Sequence, residues 1–354
     1  MSVYYLVFVV TILIQFIPVK DDKQYLRRVI ATFIPLFLFG ALRVDFGLDY
    51  PTYEAEFLDA HLYSAFSSFN EHSEIGYVFF EKMIPSWRLL LIITSALTCA
   101  AYGCVFYKCI PSRYSWIAIC LLFLAGDKTI FFQFSGIRNA IAIAIMFLSL
   151  PLMRDRRLIP FIGISLLAMT FHTSAIVFLP LFYLVCRNKT MTKVEAWIWI
   201  VVMLLLQIIN LDLLFEQVAR LVDTYLDRYN NYAEIALEEG DTRSLLIRGF
   251  VAFFVIMFVW FMRTTELNSI ENIICRMSLV YVLAFLFGAL NFRFSQYLGF
   301  GFVCGTTLLL SKWHLKIAKV TFGIATILYL LYAFFIVWMG RPGFPYQTYH
   351  SVFG

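Results

Sequence analysis

The chain has 354 residues, of which 61% are hydrophobic, 18% aromatic and only 14% charged; its net charge is +5 and its mean hydropathy +0.80. A water-soluble protein with so few polar residues could not cover its own surface, which excludes soluble enzymes and nucleic-acid-binding proteins. The composition therefore predicts an integral membrane protein with no nucleic-acid partner.

Apolar runs recur along the chain from Val3 to Met339. Most are about 15 to 20 residues long, the length that crosses roughly 30 Å of hydrocarbon as a helix. We predict an all-α fold: a polytopic membrane helical bundle of about 12 transmembrane helices in a single domain, residues 1–354, with further helices at the outer interface. The first run lacks a basic segment and a cleavage site, so we expect a retained span.

The seven cysteines fall in or beside apolar runs, and none falls in the two long polar segments. This distribution implies no disulfide framework. Cys99, Cys104 and Cys109 are evenly spaced in a way that matches no zinc motif. We therefore expect no metal and no cofactor.

Charge predicts the orientation of the spans. Most of the 28 basic residues but few of the 23 acidic ones lie in alternate loops, near residues 20–28, 108–113, 154–157, 187–193, 263–276 and 312–319. By the positive-inside rule these loops are cytoplasmic. The other loops lie outside, and they include the polar segments 43–87 and 212–246 and the C-terminal tail 340–354.

Arginine dominates the basic residues of the outward loops, where Lys82 and Lys128 are the exceptions. A flat guanidinium group suits bidentate binding of phosphate or carboxylate, which a simple topological anchor does not need. The alternative is snorkelling to lipid headgroups, which we favour for Arg88 and Arg248 because each begins an apolar run.

Three predicted spans begin on the outer side with a cationic or titratable residue: Arg138 in "FSGIRNA", His172 in "FHTSA", and Arg293, with Tyr297, in "NFRFSQY". The start of a helix presents free N–H groups and a positive dipole end, so a cation there is unfavourable unless an anion compensates it. The pattern predicts one diphosphate pocket. Taken singly, a histidine such as His172 is more often a structural donor than a base, and each arginine is also explained by snorkelling.

The outward polar segments combine carboxylates, amides and aromatic rings. Both have apolar residues at helical spacing, which predicts helices lying at the interface. Carboxylates accept hydrogen bonds from hydroxyls and rings cover the apolar face of a sugar, so a neutral polyhydroxyl ligand fits, although aromatic belts explain many of the same rings. The tail "RPGFPYQTYHSVFG" is another outward aromatic patch, and we expect it to close over the same cavity.

The stretch that begins "RVDFGLDYPTY" carries a family resemblance. Arg43, Gly47, Asp49, Tyr50 and Tyr53 resemble the R-x3-G-x-D-Y-x2-Y signature of the EpsG family, a branch of the Wzy-type O-antigen and exopolysaccharide polymerases. Later blocks are similar to the family in order: "EIGYVFF", "FSGIRNAIAIAIMFLSL", "FHTSAIVFLPLFYL", "FRFSQY" and "PYQTYHSVF". The chain departs from the pattern at Asn139, where the family usually has Gln.

The resemblance implies a bacterial inner-membrane glycosyltransferase with its active site facing the periplasm or exterior. Such an enzyme moves a growing glycan from undecaprenyl diphosphate to the terminal sugar of another undecaprenyl diphosphate-linked repeat unit. Its partners would be that lipid-linked oligosaccharide, membrane lipids, a chain-length regulator and a flippase. Arginine would take the place of a metal ion.

Within that mechanism, Arg138 and Arg293 would hold the donor diphosphate. The base would be His172 or Asp49, and we prefer His172 because histidine titrates near neutral pH. Arg43 would help Asp49 to shape the site, or the two would form a structural ion pair. Substrate binding is expected from Arg43, Tyr50, Tyr53, Glu74, Tyr77, Tyr297, Arg341 and Tyr346.

Three other functions remain open. A flippase or transporter for the same lipid-linked oligosaccharide would need a polar path to the cytoplasm, yet the spans carry few polar residues beyond Gln15 and Gln207. An O-antigen ligase would share the donor chemistry, but one long outer loop would favour it, whereas this chain divides its polar sequence between two. A scaffold in an export complex would need no shared pocket.

Overall fold

The computed structural model of the protein describes residues 2–47, 49–62, 74–125, 129–175, 183–208, 245–286, 291–332 and 349–352. The chain divides into two compact units. Unit 1 comprises residues 1–188 and 324–354, and unit 2 comprises residues 189–323.

Most described residues are helical, which confirms the predicted class. The helices of unit 1 are α1 (Ser2–Gln15), α2 (Asp22–Ala41), α3 (Tyr50–Leu62), α4 (Ile75–Met83), α5 (Trp87–Cys109), α6 (Ser115–Leu124), α7 (Ile130–Ser135), α8 (Ile137–Leu148), α9 (Leu150–Arg154) and α10 (Leu158–Phe171). Unit 2 contains α11 (Lys193–Ile208), α12 (Leu245–Thr264), α13 (Ser269–Ala284) and α14 (Asn291–Lys312). Helix α15 (Lys316–Tyr332) carries the boundary between the units.

By length and composition, two of the described helices could cross a membrane: α5, and α12 from Ile247 to Thr264. Four shorter apolar stretches accompany them, at Val3–Gln15, Ser112–Leu124, Ile137–Leu148 and Leu158–Phe171. Large apolar side chains also face outward, such as Ile159 at 84% and Ile317 at 85% exposure. Exposed apolar surface of this kind suits contact with lipid. The count of twelve spans stays a prediction.

Helix α2 packs along α5 in unit 1, and polar side chains fix where both helices begin. The Asp21 side chain accepts a hydrogen bond from the Gln24 N–H at 2.7 Å, and the Ser86 hydroxyl accepts one from the Leu89 N–H at 3.3 Å. Such caps satisfy N–H groups that the first helical turn leaves without partners. The 43–87 segment follows α2 and contains α3 and α4, as its apolar spacing predicts.

A two-stranded antiparallel sheet adds a small exception to the all-helical expectation. Strand β1 (Arg43–Val44) pairs with β2 (His350–Ser351), so that Arg43 lies opposite Ser351. Beside this sheet the Tyr349 ring stacks on Phe39 at 4.4 Å, and its hydroxyl donates to the Phe39 carbonyl at 2.8 Å. The end of the C-terminal tail therefore packs against the start of the 43–87 segment.

Gly47, the glycine of the signature, has a backbone φ of +97°. This left-handed conformation is strained for other residues. A Cβ atom at Gly47 would also lie 2.5 Å from the Ser135 Cβ and 3.0 Å from its Cα. Both observations explain why the signature needs glycine at this turn before α3.

Helices α13 and α14 pack tightly in unit 2 through the Gly301 and Gly305 pair. A Cβ atom at Gly305 would collide with the Ser278 hydroxyl, and one at Gly301 would lie 2.8 Å from the Met277 Cβ. The Ser278 hydroxyl donates to the Gly301 carbonyl at 3.0 Å. This close approach is what a G-x3-G step predicts.

Candidate active site

A close contact between α4 and α10 creates the candidate site in unit 1. A Cβ atom at Gly76 would collide with the Thr170 hydroxyl and lie 2.7 Å from the Thr170 Cβ and 2.8 Å from its carbonyl oxygen. Glycine therefore lets the two helices approach. Glu74 comes just before α4 and His172 just after α10, so the contact brings their side chains together.

The Glu74 carboxylate is the centre of the cluster. Its Oε1 accepts hydrogen bonds from His172 Nδ1 at 3.1 Å and from the Thr173 N–H at 3.2 Å, while its Oε2 lies 3.2 Å from Arg138 Nη1. Burial alone would raise the pKa of Glu74, but the His172 hydrogen bond and the Arg138 charge lower it to about 2. Glu74 is therefore ionised at neutral pH.

The ionised partner fixes the tautomer of His172. A carboxylate can only accept, so the hydrogen must sit on His172 Nδ1, which leaves Nε2 as the basic nitrogen of the neutral ring. This Nε2 atom is buried, and no hydrogen-bond partner for it lies within the described ranges. An imidazole held by a carboxylate, with the opposite nitrogen available, is the arrangement of a general base.

His172 lies directly after the end of a helix, whereas the sequence analysis predicts it at the start of one. Its N–H donates to the Ala168 carbonyl at 3.0 Å and so ends α10. Residues 176–182, where the next predicted span begins, lie outside the described part. The Thr173 N–H does bind an anion, as expected of an outward helix start, but that anion is Glu74.

Arg138 is the second residue of α8, at the predicted helix start. Its guanidinium carbon lies 5.1 Å from the centre of the Tyr53 ring and 5.7 Å from that of Tyr77, both cation–π distances. Its Nε lies 3.5 Å from the Tyr53 hydroxyl oxygen, and its Nη2 lies 3.9 Å from Glu56 Oε1. Two rings and two carboxylates thus hold the guanidinium group.

These contacts change the electrostatic interpretation of Arg138. The sequence pattern requires an anion to offset a cation at this helix start. Glu74 and Glu56 supply that anion from within the chain. Two carboxylates therefore lie beside the guanidinium group of Arg138. Arg138 is therefore arranged to position Glu74, and a diphosphate would meet carboxylates beside it.

Two fully buried polar groups lie deeper in the same cluster. Tyr77 and Glu81 are four residues apart on one face of α4 and are 0% and 1% exposed. Among the residues that the structure describes, the Tyr77 and Glu81 side chains interact with each other, and neither the Tyr77 hydroxyl nor Glu81 Oε1 has another hydrogen-bond partner. Burial raises the pKa of Glu81 to about 8, and its hydrogen bond with the Tyr77 side chain opposes the effect of burial.

Sequence reasoning missed Glu56 and Glu81. Helical spacing could have revealed Glu81, because residues 74, 77 and 81 recur at the interval of one helix face. Glu56 carries no comparable signal, since its contact joins residues 82 positions apart (138 − 56).

Two residues of the signature lie beside the cluster: Asp49 contacts Tyr53, and Tyr50 contacts Trp87. The Asp49 carbonyl accepts the Tyr53 N–H at 3.0 Å. Burial raises the pKa of the Tyr53 phenol to about 12, with Arg138 opposing and Asp49 reinforcing the effect. Tyr50 is buried, and its hydroxyl accepts a hydrogen bond from Trp87 Nε1 at 2.9 Å.

Arg43 lies in a separate, buried setting. It is 1% exposed, and its Nη1 donates to the Gly40 carbonyl and, at 2.9 Å, to the Ser95 hydroxyl. Arg88, which we expected to snorkel, instead donates to the Arg43 and Ala41 carbonyls at 2.8 and 3.1 Å. These contacts fix the start of the 43–87 segment to α2 and α5, and the ion pair between Arg43 and Asp49 stays a prediction.

The remaining predicted residues are not placed in the cluster. Tyr297 belongs to unit 2 and is 1% exposed. Arg293 is in the first turn of α14, as predicted, but its side chain lies outside the described part of the chain. Arg341, Tyr346 and the polar segment 212–244 also lie outside it.

Comparison with known proteins identifies the family. The model of the EpsG family matches residues 25–349, which is most of the chain and includes every residue of the cluster. Comparisons with curated proteins and with solved structures give no match. The chain therefore belongs to the EpsG family, whose members are membrane proteins connected with polysaccharides.

Proposed function

We propose that the protein is a polysaccharide polymerase of the O-antigen or exopolysaccharide type. It transfers a growing glycan from undecaprenyl diphosphate to the terminal sugar of another undecaprenyl diphosphate-linked repeat unit. The observation that carries the proposal is the hydrogen bond between Glu74 and His172 Nδ1, because it holds the ring and leaves Nε2 available to act as a base. Membership of the family supports the same reaction class.

His172 Nε2 takes the proton from a hydroxyl group of the acceptor sugar as that oxygen attacks the anomeric carbon of the donor. The bond between this carbon and the phosphate oxygen breaks, and undecaprenyl diphosphate leaves with the bonding electron pair. Glu74 stabilises the imidazolium ion that forms, and Arg138 keeps Glu74 in place. General-base catalysis of this kind contributes about 10² to 10⁴ in rate.

The donor diphosphate needs cations that the chain has not already neutralised. Arg138 is paired with Glu74 and Glu56, so it serves as a positioning residue for the base. Arg293 stays the predicted diphosphate ligand, because an arginine in the first turn of a helix such as α14 favours an anion. Arginine in this role replaces a metal ion.

We place the site on the periplasmic or outer side of the bacterial inner membrane. The charge pattern supports this orientation, since the loops richest in basic residues alternate with the segments that carry Glu74 and His172. A flippase would deliver the substrate to that side, and a chain-length regulator would control the product.

Reconstituted protein tests the proposal. Repeat units extracted from cells that lack this gene are added to purified protein in lipid nanodiscs, without nucleotide or metal, and glycans are separated by size. The expected product is a ladder of chain lengths that His172→Ala does not form. Movement of substrate across vesicle membranes without elongation would select the flippase, and transfer to added lipid A would select the ligase.

A further inference from the structure

Tyr53, the last tyrosine of the signature, lies where the signature meets the cluster. It is 6% exposed, so it offers little surface to a sugar, although the sequence predicts a substrate-binding role for it. Its side chain belongs to a buried apolar core that also contains Ile137 and Ile141. Both isoleucines are part of α8, the helix that carries Arg138. The burial of Tyr53 therefore joins α3 to that helix.

Tyr53 contacts the Arg138 guanidinium group with its ring and with its hydroxyl. The guanidinium carbon lies over the ring, 5.1 Å from its centre, and Nε lies 3.5 Å from the hydroxyl oxygen. The other two nitrogens, Nη1 and Nη2, lie 3.2 and 3.9 Å from the carboxylates of Glu74 and Glu56. A guanidinium group is planar and rigid. Contacts that fix its Nε side therefore also fix the direction of the nitrogen that binds Glu74.

The Tyr53 side chain is itself held in place. The Tyr53 N–H donates to the Asp49 carbonyl at 3.0 Å in the first turn of α3, and the ring packs edge to face on Tyr77 with 5.9 Å between the ring centres. Burial raises the pKa of the phenol to about 12, so the phenol keeps its proton at neutral pH. A neutral aromatic ring attracts a cation through its π-electrons. Tyr53 is therefore a fixed, neutral contact for the Arg138 cation.

We propose that Tyr53 is a positioning residue that orients Arg138 and, through it, Glu74. Glu74 in turn holds the ring of His172 by the hydrogen bond to Nδ1. The signature then affects the reaction through α3, without contact between Tyr53 and the substrate. This inference rests on the proposed function, because His172 is the base of that reaction. It predicts that loss of the Tyr53 ring lowers the rate of transfer and leaves the affinity for the acceptor unchanged.

Acceptor kinetics test the inference. The repeat-unit glycan on a short alkyl aglycone serves as an acceptor that cannot act as a donor, and the extracted lipid-linked repeat units serve as donor. Tyr53→Leu removes the ring, so kcat should fall about 10- to 100-fold while the acceptor KM stays within about threefold. Tyr53→Phe keeps the ring and loses only the 3.5 Å hydroxyl contact, so both constants should stay within about threefold. Tyr53→Met, which has a flexible apolar side chain without a ring, repeats the test if Tyr53→Leu does not fold.

A double-mutant cycle separates an effect through Arg138 from a direct one. In the Arg138→Lys protein, Tyr53→Leu should lower kcat by no more than about a further threefold, because the contact it removes is already lost. Tyr332→Leu, at an exposed position of α15, is the control and should leave both constants unchanged. An unchanged kcat or a raised acceptor KM in Tyr53→Leu, or losses that multiply in the double variant, would overturn the inference. If the wild type extends no acceptor at all, the proposed function is wrong and the inference fails with it.

Discussion

Two arginines in different units show what separates a structural ion pair from a candidate site. Arg276 is 0% exposed and holds Glu195 with two hydrogen bonds of 2.7 and 2.9 Å. Its Nη1 adds contacts to the Asn272 carbonyl and side chain at 3.2 and 3.3 Å. Arg138 is 17% exposed, and its ion pair with Glu74 is longer, at 3.2 Å.

The difference lies in how completely the neighbours are satisfied. Around Arg276, no buried atom of Glu195 or Asn272 lacks a partner among the described residues. Around Arg138, the buried Nε2 atom of His172 does, within the same described ranges. A saturated network stabilises the fold, whereas an unsaturated one beside solvent has capacity left for a ligand. Variants at the two sites should therefore fail in different ways.

The largest effect is expected from His172→Ala. Loss of the base should lower the rate of elongation about 10²- to 10⁴-fold while the protein remains folded. The rate is measured from the glycan ladder, and folding from the melting temperature in detergent. His314→Ala, at an exposed position of unit 2, is the matched control and should elongate normally. Elongation by His172→Ala at the control rate would remove His172 from the mechanism.

The second prediction applies one change, arginine to lysine, at both sites. Arg138→Lys keeps the charge but loses the planar fork that contacts Glu74 and Glu56, so we expect about a 100-fold loss of elongation with a normal melting temperature. Arg276→Lys keeps the buried charge but cannot make both hydrogen bonds to the half-buried Glu195 carboxylate, so we expect a clear fall in melting temperature.

Each variant serves as the control for the other, with elongation per folded molecule and melting temperature measured on the same samples. The distinction between a structural site at Arg276 and a functional site at Arg138 would be wrong if Arg138→Lys lost stability and kept its activity. It would also be wrong if Arg276→Lys lost activity without loss of stability.

The third prediction concerns the glycine that brings the cluster together. Gly76→Ala forces a Cβ atom against Thr170, whose carbonyl oxygen is backbone and cannot rotate away. Helix α4 must shift, which separates Glu74 from His172, and we expect about a tenfold loss of elongation. Gly163→Ala in α10 is the control, because a Cβ atom there meets nothing within 4 Å. Equal activity of the two variants would show that the contact does not position the base.

Local patterns in the sequence predicted much of what the structure shows. Apolar runs gave the helical class, and the signature placed Gly47 at a turn that requires its conformation. The motif around Arg138 correctly predicted the start of a helix. These features depend on residues close together in the chain, where periodicity and capping rules apply.

The same reasoning could not predict contacts between residues that are far apart in the chain. Glu74 meets Arg138 across 64 positions and His172 across 98. The inference that Arg138 needs a nearby anion was correct, but the sequence could not show that Glu74 and Glu56 supply it. The sequence analysis therefore assigned that role to a diphosphate. The β1–β2 pair was missed for the same reason, because two-residue strands carry no pattern.

The smallest expected effect is on the pH dependence of stability. Glu74, at the N-cap of α4, and Glu81, within α4, should change the free energy of unfolding in opposite directions. Glu74, with its pKa lowered to about 2, stabilises the fold above about pH 4.5, and this contribution is lost as the pH falls towards 2. Glu81, with its pKa raised to about 8 by burial, holds its proton between about pH 4.5 and 8, where the unfolded chain releases it. Glu81 therefore destabilises the fold increasingly across that window.

Glu81→Gln cannot ionise, so its melting temperature should exceed that of the wild type by several degrees at pH 8 and equal it near pH 4.5. Glu74→Gln should instead melt below the wild type at pH 7, and Asp59→Asn, which removes an exposed carboxylate on α3, should follow the wild type throughout. Tyr77 on α4, Glu56 on α3 and Arg138 on α8 all affect the pKa of Glu81. The pH at which Glu81 changes the melting temperature therefore depends on all three groups. Coincident curves for Glu81→Gln and wild type would mean that Glu81 ionises freely, and an ionised Glu81 would compete with Glu74 for Arg138.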